Sequence, residues 1–188
     1  MQKTLKHTIL WCALVGILIL LGMGLRLIQL PELFHYTYDE EVFSFVGNRM
    51  FLNGHIPLIG GVTPFHVHVA PYFYWMSGVF LFLSEFKPIG WGIVAALISG
   101  ISMAMVYVTG KLFFEKRAAL FALLLYSFSF YQNIFDRHYW GLVVDGLIAL
   151  LVIFSLQKIV SGKHQFFVLL GAALAFGFHA DLTTLTLF

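Results

Sequence analysis

The sequence predicts an all-α integral membrane protein, a polytopic helical bundle with amphipathic helices lying beside the membrane in its first external loop. Three observations predict it. The 188 residues are 60% hydrophobic and 11% charged, where a soluble domain carries about 25% charged residues. Mean hydropathy is +0.89. The apolar residues also gather into helix-length runs separated by short charged corners, the pattern of repeated bilayer crossings. The same composition excludes other classes. There is no basic patch interleaved with aromatics to suggest nucleic acid, and no nucleotide fingerprint or phosphate-cradling glycine loop. The single Cys12 excludes an intramolecular disulfide and a cysteine metal cluster.

Residues 1–7 are short and basic, with Lys3 and Lys6, and stay cytoplasmic by the positive-inside rule. Residues 8–30 are apolar but for Thr8, Arg26 and Gln29. At 1.5 Å per residue they reach roughly 35 Å, enough to cross. With no small-residue cleavage site, this is a retained span rather than a leader. Arg26 lies one turn from its far end, either as a snorkelling interfacial arginine or as a cation for a lipid-linked phosphate. Pro31 is expected to end the helix.

The stretch from Pro31 to Trp75 organises the rest. It holds Glu32, Asp39, Glu40 and Glu41 of the nine acids, and His35, His55, His66 and His68 of the eight histidines. Ionisable groups concentrated between membrane helices mark a functional region. Thr37-Tyr38-Asp39-Glu40 has the capping-box pattern, and Val42, Phe43, Val46, Met50 and Phe51 recur at helical spacing. A surface helix is therefore expected over 38–53, with Gly54 ending it. Capping alone would account for Asp39 and Glu40. Turns follow over 54–64, then an apolar helix over 69–86 with an aromatic first turn.

Further spans are expected over about 89–110, 118–135, 138–157 and 165–180. Residues 69–86 are barely long enough to cross, and charge placement decides against it. With 69–86 lying partly embedded on the outer side, Lys3, Lys6, Lys111, Lys116, Arg117, Lys158 and Lys163 all fall inside, against Glu115 alone. A crossing would put the later basic loops outside. Five crossings then place the loop 31–88, the Asp136-Arg137-His138 corner and His179 to Asp181 on the external face. Asp145 is expected about 13 Å into the span after Asp136, where an acid must face protein or water. The chain is read as one transmembrane domain over 1–188; it ends in Asp181-Leu-Thr-Thr-Leu-Thr-Leu-Phe188 without a polar tail, which suggests a fragment, or a truncated or split gene.

The order of these features resembles the polytopic dolichyl-phosphate-mannose protein mannosyltransferases and their bacterial relatives, such as the lipid A aminoarabinose transferase. The residues that carry the resemblance are the acidic pair Asp39-Glu40, the turn Asn53-Gly54-His55-Ile56-Pro57 and the helix start His68-Val69-Ala70-Pro71-Tyr72-Phe73-Tyr74-Trp75, which has one proline fewer than the family pattern. Gly110-Lys111-Leu112-Phe113-Phe114, Arg117-Ala118-Ala119-Leu120 and Asp136-Arg137 follow in family order. The downstream acid, Asp145, lies eight residues beyond Arg137, further than the usual five. The resemblance implies a GT-C-type fold and transfer of a sugar from a polyprenyl-phosphate donor to a lipid, glycan or protein acceptor at the external face. It implies Asp39 as catalytic base, with Glu40 second. Arg26, Arg137, His66 and His68 are then candidates for the leaving phosphate, and Asp136 and Asp145 for phosphate or sugar contacts. His66 and His68 beside the acids have donor types that suit a divalent ion, but relatives include metal-independent enzymes. No metal or cofactor is assigned. The expected partners are the donor, the acceptor, membrane lipids and a C-terminal half or partner subunit; the expected location is a prokaryotic plasma membrane. Two other classes remain open: a transporter or channel lined by Asp145 and Arg26, and a non-catalytic membrane scaffold.

Overall fold

The computed structural model describes residues 2–34, 37–62, 66, 68–138 and 142–180. His35 and Asp181 lie outside the described residues. Nine helices follow one another among them: α1 (Gln2–Leu27), α2 (Leu30–Leu33), α3 (Tyr38–Asn53), α4 (Tyr72–Leu83), α5 (Ile89–Phe113), α6 (Lys116–Phe128), α7 (Phe130–Phe135), α8 (Leu142–Val160) and α9 (Phe166–Ala180). Ile9–Leu27, Ile89–Phe113 and Val143–Val160 are long and apolar enough to cross a membrane. α4 has 12 residues, roughly 18 Å, which falls short of the roughly 30 Å hydrocarbon core.

The helix ends follow local chemistry. α3 begins at Thr37 in extended backbone with the capping box formed, and ends at Gly54 in the left-handed region (φ 65°), which glycine adopts without a Cβ penalty. Pro31 does not terminate α1. The chain turns at Gln29, itself left-handed (φ 48°), and Pro31 falls in the first turn of α2, where a missing N–H costs nothing. The expected single span over 118–135 is two helices, broken at Ser129 (ψ 123°).

Side-chain and backbone contacts fix the directions. Gly22 lies against Met103, Met23 against Gly100 and Leu30 against Gly92, so α1 and α5 are antiparallel. Gly110 meets Ala119 across the α5–α6 turn. Val94 and Ile98, early in α5, share a cavity wall with Val143, Val144 and Leu147, early in α8, so these two run parallel. One end of the bundle therefore carries Lys3, Lys6, Lys111, Lys116, Arg117, Lys158 and Lys163. The opposite end carries Arg26, Asp136 and Asp145.

α3 and α4 run side by side and parallel. Phe43 stacks on Phe73 (centroids 5.5 Å apart), and Phe51 stacks on Phe82 (4.7 Å). Between these pairs the backbones touch at Gly47 and Gly78, where a Cβ on Gly47 would come within 2.7 Å of the Gly78 nitrogen. The connecting segment returns along the pair. Trp75 Nε1 donates to the Pro57 carbonyl (2.8 Å), and the Gly60 N–H and carbonyl of Gly61 bond to Val69. The first turns of α3 and α4 thereby share one end. The main core joins Phe73, Leu81, Trp91, Ala95, Val144 and Ile148 from α4, α5 and α8.

The glycine contact predicts that Gly47→Ala lowers stability in detergent by about 1–3 kcal/mol through overpacking. Gly171→Ala, with nothing within 4 Å of the new methyl group, should stay within about 0.5 kcal/mol of the parent. Thermal unfolding of both in one detergent checks this; an unshifted Gly47→Ala midpoint would show that the close approach is dispensable.

Candidate functional site

Arg26 and Asp136 meet at the polar end of the bundle. Arg26 is 0% and Asp136 2% exposed. Arg26 Nε donates to Asp136 Oδ2 at 2.7 Å, and Nη2 lies 2.7 Å from the same oxygen. Ser99 Oγ donates to that oxygen as well (2.5 Å), and Gln132 Nε2 donates to Oδ1 (2.8 Å). The Tyr126 ring lies 5.9 Å from the guanidinium. A charge in a low-dielectric interior is tolerated when it is paired and hydrogen-bonded; Arg26 is hydrogen-bonded through Nε and Nη1, while Nη2 is ion-paired with Asp136 but makes no hydrogen bond among the described residues.

The same network explains the break in the fourth apolar run. Arg26 Nη1 donates to the carbonyls of Gly22 (2.9 Å) and Ser127 (3.1 Å) and to Asn133 Oδ1 (3.2 Å). Asn133 Nδ2 donates to the carbonyls of Ser127 (3.1 Å) and Ser129 (2.7 Å). Carbonyls that would otherwise accept from the next turn are satisfied by side chains, and the helix parts there without a proline.

Glu40 reaches this corner from α3. It is 1% exposed, and its Oε2 accepts from the Thr37 N–H (3.1 Å) and from the Thr37 hydroxyl. Its Oε1 lies 3.7 Å from His138 Nδ1. Burial pushes the carboxyl up, but hydrogen bonds from His138 and Thr37 outweigh it and hold the group below its ordinary value. Asp39 sits beside it in the first turn of α3; its side chain is outside the described set.

The remaining candidates have different settings. Arg137 Nη2 donates to the Leu25 (2.5 Å) and Ile28 (3.2 Å) carbonyls at the end of α1. Its Nε is buried with no hydrogen-bond partner among the described residues. Burial and then the Arg26 charge pull its pKa down, though a guanidinium stays charged. Arg137 lines an open groove of about 280 Å³ with Leu25, Phe128, Phe130, Asn133 and Ile134. His68 is exposed just before α4, with Nδ1 3.1 Å from the Gly60 carbonyl. His66 is exposed in left-handed backbone (φ 58°). Asp145 is half-buried in the first turn of α8, shallower than its distance from Asp136 suggests, because the helix starts at Leu142. There the dipole favours a carboxylate. Beside it, an apolar cavity of about 200 Å³ lies between α4, α5, α8 and α9.

The structure thus gathers Arg26, Glu40, Asp136 and Arg137 into one corner, adds His138, and leaves His66, His68 and Asp145 around it. Sequence reasoning gave no role to His138, Ser99, Gln132 and Asn133. Their signal was polarity inside or at the edge of apolar runs, which marks buried contacts in a membrane helix. Among the described residues no group of three or more His, Cys, Asp or Glu side chains is placed to hold a metal.

Three bilayer-length apolar helices and shorter ones packed around a polar corner define the class: an all-α, multi-span membrane protein with a GT-C-like bundle. The family follows from the sequence. The family model described as dolichyl-phosphate-mannose-protein mannosyltransferase matches residues 68–187, well over half of the chain, and the chain belongs to that family. No curated protein and no solved structure matches it. The matched segment contains His68, Asp136, Arg137 and Asp145; Arg26, Asp39, Glu40 and His66 precede it.

Arg26→Gln or Asp136→Asn alone should cost about 3–5 kcal/mol, because each leaves an uncompensated buried partner. The double change Arg26→Gln with Asp136→Asn should cost less than the two single losses added together. Equilibrium unfolding of the four proteins in detergent reads this, and strict additivity would show that the pair is not coupled. The sign for Glu40 follows from its depressed pKa. Its contribution is complete above the ordinary value of 4.5 and is lost as pH falls through the lower folded value. Glu40→Gln should flatten the acid limb of the stability profile, and a limb of unchanged steepness would assign it to other groups.

Proposed function

We propose that the chain transfers a sugar from a polyprenyl-phosphate-linked donor to an acceptor at the external membrane face. One observation carries the reading furthest. Glu40, at the start of α3, faces His138 at 3.7 Å, which joins the acidic helix start to the Asp136-Arg137-His138 corner of the family-matched segment. In the reaction the bond from the anomeric carbon to the phosphate oxygen breaks, and the phosphate leaves with the electron pair. The acceptor oxygen bonds to that carbon, and its proton goes to a carboxylate.

Asp39 is the base we favour. Glu40 holds the cap through Oε2, which accepts from Thr37, and its Oε1 faces His138 at 3.7 Å; in this scheme it positions the helix start and stands second to Asp39 as base. Arg137 is the cation for the leaving phosphate. Its buried, unbonded Nε and the apolar walls of its groove suit a phosphate that carries a lipid tail. Arg26 and Asp136 act through it by fixing the carbonyls and helix ends on which it rests. Hydroxyl or phosphate contacts are assigned in this scheme to His66, His68 and Asp145.

The proposed topology has five crossings, α1, α5, α6–α7, α8 and α9, with α4 partly embedded and the N-terminus cytoplasmic. The gathering of seven lysines and arginines at one end of the bundle supports it, and a prokaryotic plasma membrane is the location we favour. The acceptor is a lipid, glycan or protein, and a C-terminal half or partner subunit is the remaining expected partner.

Asp39→Asn, made in the full protein that carries this chain, should lower sugar transfer by about 100-fold or more with membrane insertion and unfolding midpoint unchanged. Transfer from a radiolabelled polyprenyl-phosphate sugar measures it. A parental rate in that variant would remove Asp39 from the mechanism.

A further inference from the structure

A second groove lies at the opposite, basic end of the bundle. Val15, Gly16 and Ile19 of α1, Tyr107 and Lys111 of α5 and Lys116 of α6 line about 350 Å³ of open space. We propose that this groove binds an anionic glycerophospholipid, with the phosphate between Lys111 and Lys116 and an acyl chain along α1.

Three observations point to that occupant. The first is charge. Lys111 lies in the last turn of α5 and Lys116 opens α6, so two ammonium groups border one apolar groove. Glu115 is the acid beside them, and it is exposed. Basic pockets between membrane helices are a recurring headgroup site. The second is the backbone. Glu115 precedes α6 without any side-chain cap, which leaves first-turn N–H groups of a 13-residue helix to favour an anion. The third is space. At Gly16 nothing lies within 4 Å of where a Cβ would stand, so the wall is open along the α1 face that a chain would follow.

The position of Lys111 sharpens the argument. A lysine that only complemented the C-terminal dipole of α5 would extend into water. Instead its Nζ is folded over the Tyr107 ring at 4.6 Å, a cation–π contact that holds the charge at the groove. Tyr107 is half-buried there. Trp11 lies one turn before Val15 on α1 and also lines the groove, in the interfacial position that tryptophan favours. The site is remote from the Arg26–Asp136 corner and does not depend on the proposed chemistry.

The test uses the full chain in a neutral detergent, with thermal unfolding followed after addition of phosphatidylglycerol, phosphatidylcholine of the same chains, or soluble glycerol phosphate. Phosphatidylglycerol should raise the midpoint by about 3–6 °C, and the other two by much less. The rise should disappear in Lys111→Gln/Lys116→Gln, and also in Gly16→Leu, which fills the groove without touching charge. It should survive in Lys158→Gln/Lys163→Gln at the same end of the bundle. A full rise in both groove variants, or loss in the Lys158/Lys163 control alone, overturns the site. An equal rise with phosphatidylcholine overturns phosphate recognition by charge, and an equal rise with glycerol phosphate overturns the lipid as the source. Native mass spectrometry of the parent protein from a mixed-lipid extract gives an independent reading, with phosphatidylglycerol expected to be retained over phosphatidylcholine; retention of phosphatidylcholine in preference overturns the proposal.

Discussion

The buried pair of Arg26 and Asp136 is the constraint on which the rest depends. The Arg26 guanidinium on α1 lies 2.7 Å from one carboxylate oxygen of Asp136 after α7, and Ser99 of α5 donates to the same oxygen. Three segments are thereby fixed at one level. Removing either charge leaves the other desolvated, so the pair specifies the arrangement more firmly than apolar contacts alone, which slide against lipid of equal polarity. The break between α6 and α7 is part of the same device, because the carbonyls it frees are those to which Arg26 and Asn133 donate. Arg137 then gains its position from the end of α1, and His138 brings α3 to the corner through Glu40.

In the proposed scheme, scaffold and chemistry are separated within a few residues. Asp136 and Arg137 are adjacent, yet the carboxylate of one accepts from three side-chain donors and the other borders an open groove with a buried nitrogen unbonded among the described residues. Glu40 and Asp39 are adjacent too, and Glu40 carries the helix cap. In each pair one residue holds the geometry. The family match begins at His68, so the matched segment supplies the Asp136 corner, and the segment before it supplies Arg26 and the acidic helix start. The polar corner is assembled from both.

Much of this was legible in the chain. The caps of α3 were, because Thr37, Glu40 and Gly54 act through bonds within a few residues. The segregation of lysines was, because it is a matter of run lengths and counting. The apolar run with its aromatic first turn marked α4, which at 12 residues is shorter than the 69–86 expected. Other features were not. Pro31 reads as a stop in isolation and is a helix start once Gln29 has turned the chain. The α6–α7 break has neither proline nor glycine at Phe128-Ser129; it comes from side chains of α1 and α7, and no local pattern encodes it. The partnership of Arg26 with Asp136 is likewise tertiary. What the sequence offered was the oddity of each residue near the end of an apolar run, not the identity of its mate. Gly47 and Gly78 were passed over because a glycine pair acts only once two helices are known to be neighbours.

The separation of 110 residues between Arg26 and Asp136 also sets a problem in time. At about 5–20 residues per second, the ribosome needs about 5–20 s after releasing Arg26 to deliver its partner. During that interval the first helix carries an arginine one turn from its end, with no acid yet made to receive it. It must wait with its side chain drawn out to the lipid headgroups or water, and it can turn inward only once the Asp136 corner has been synthesised. Seating of the first helix therefore waits for the end of α7.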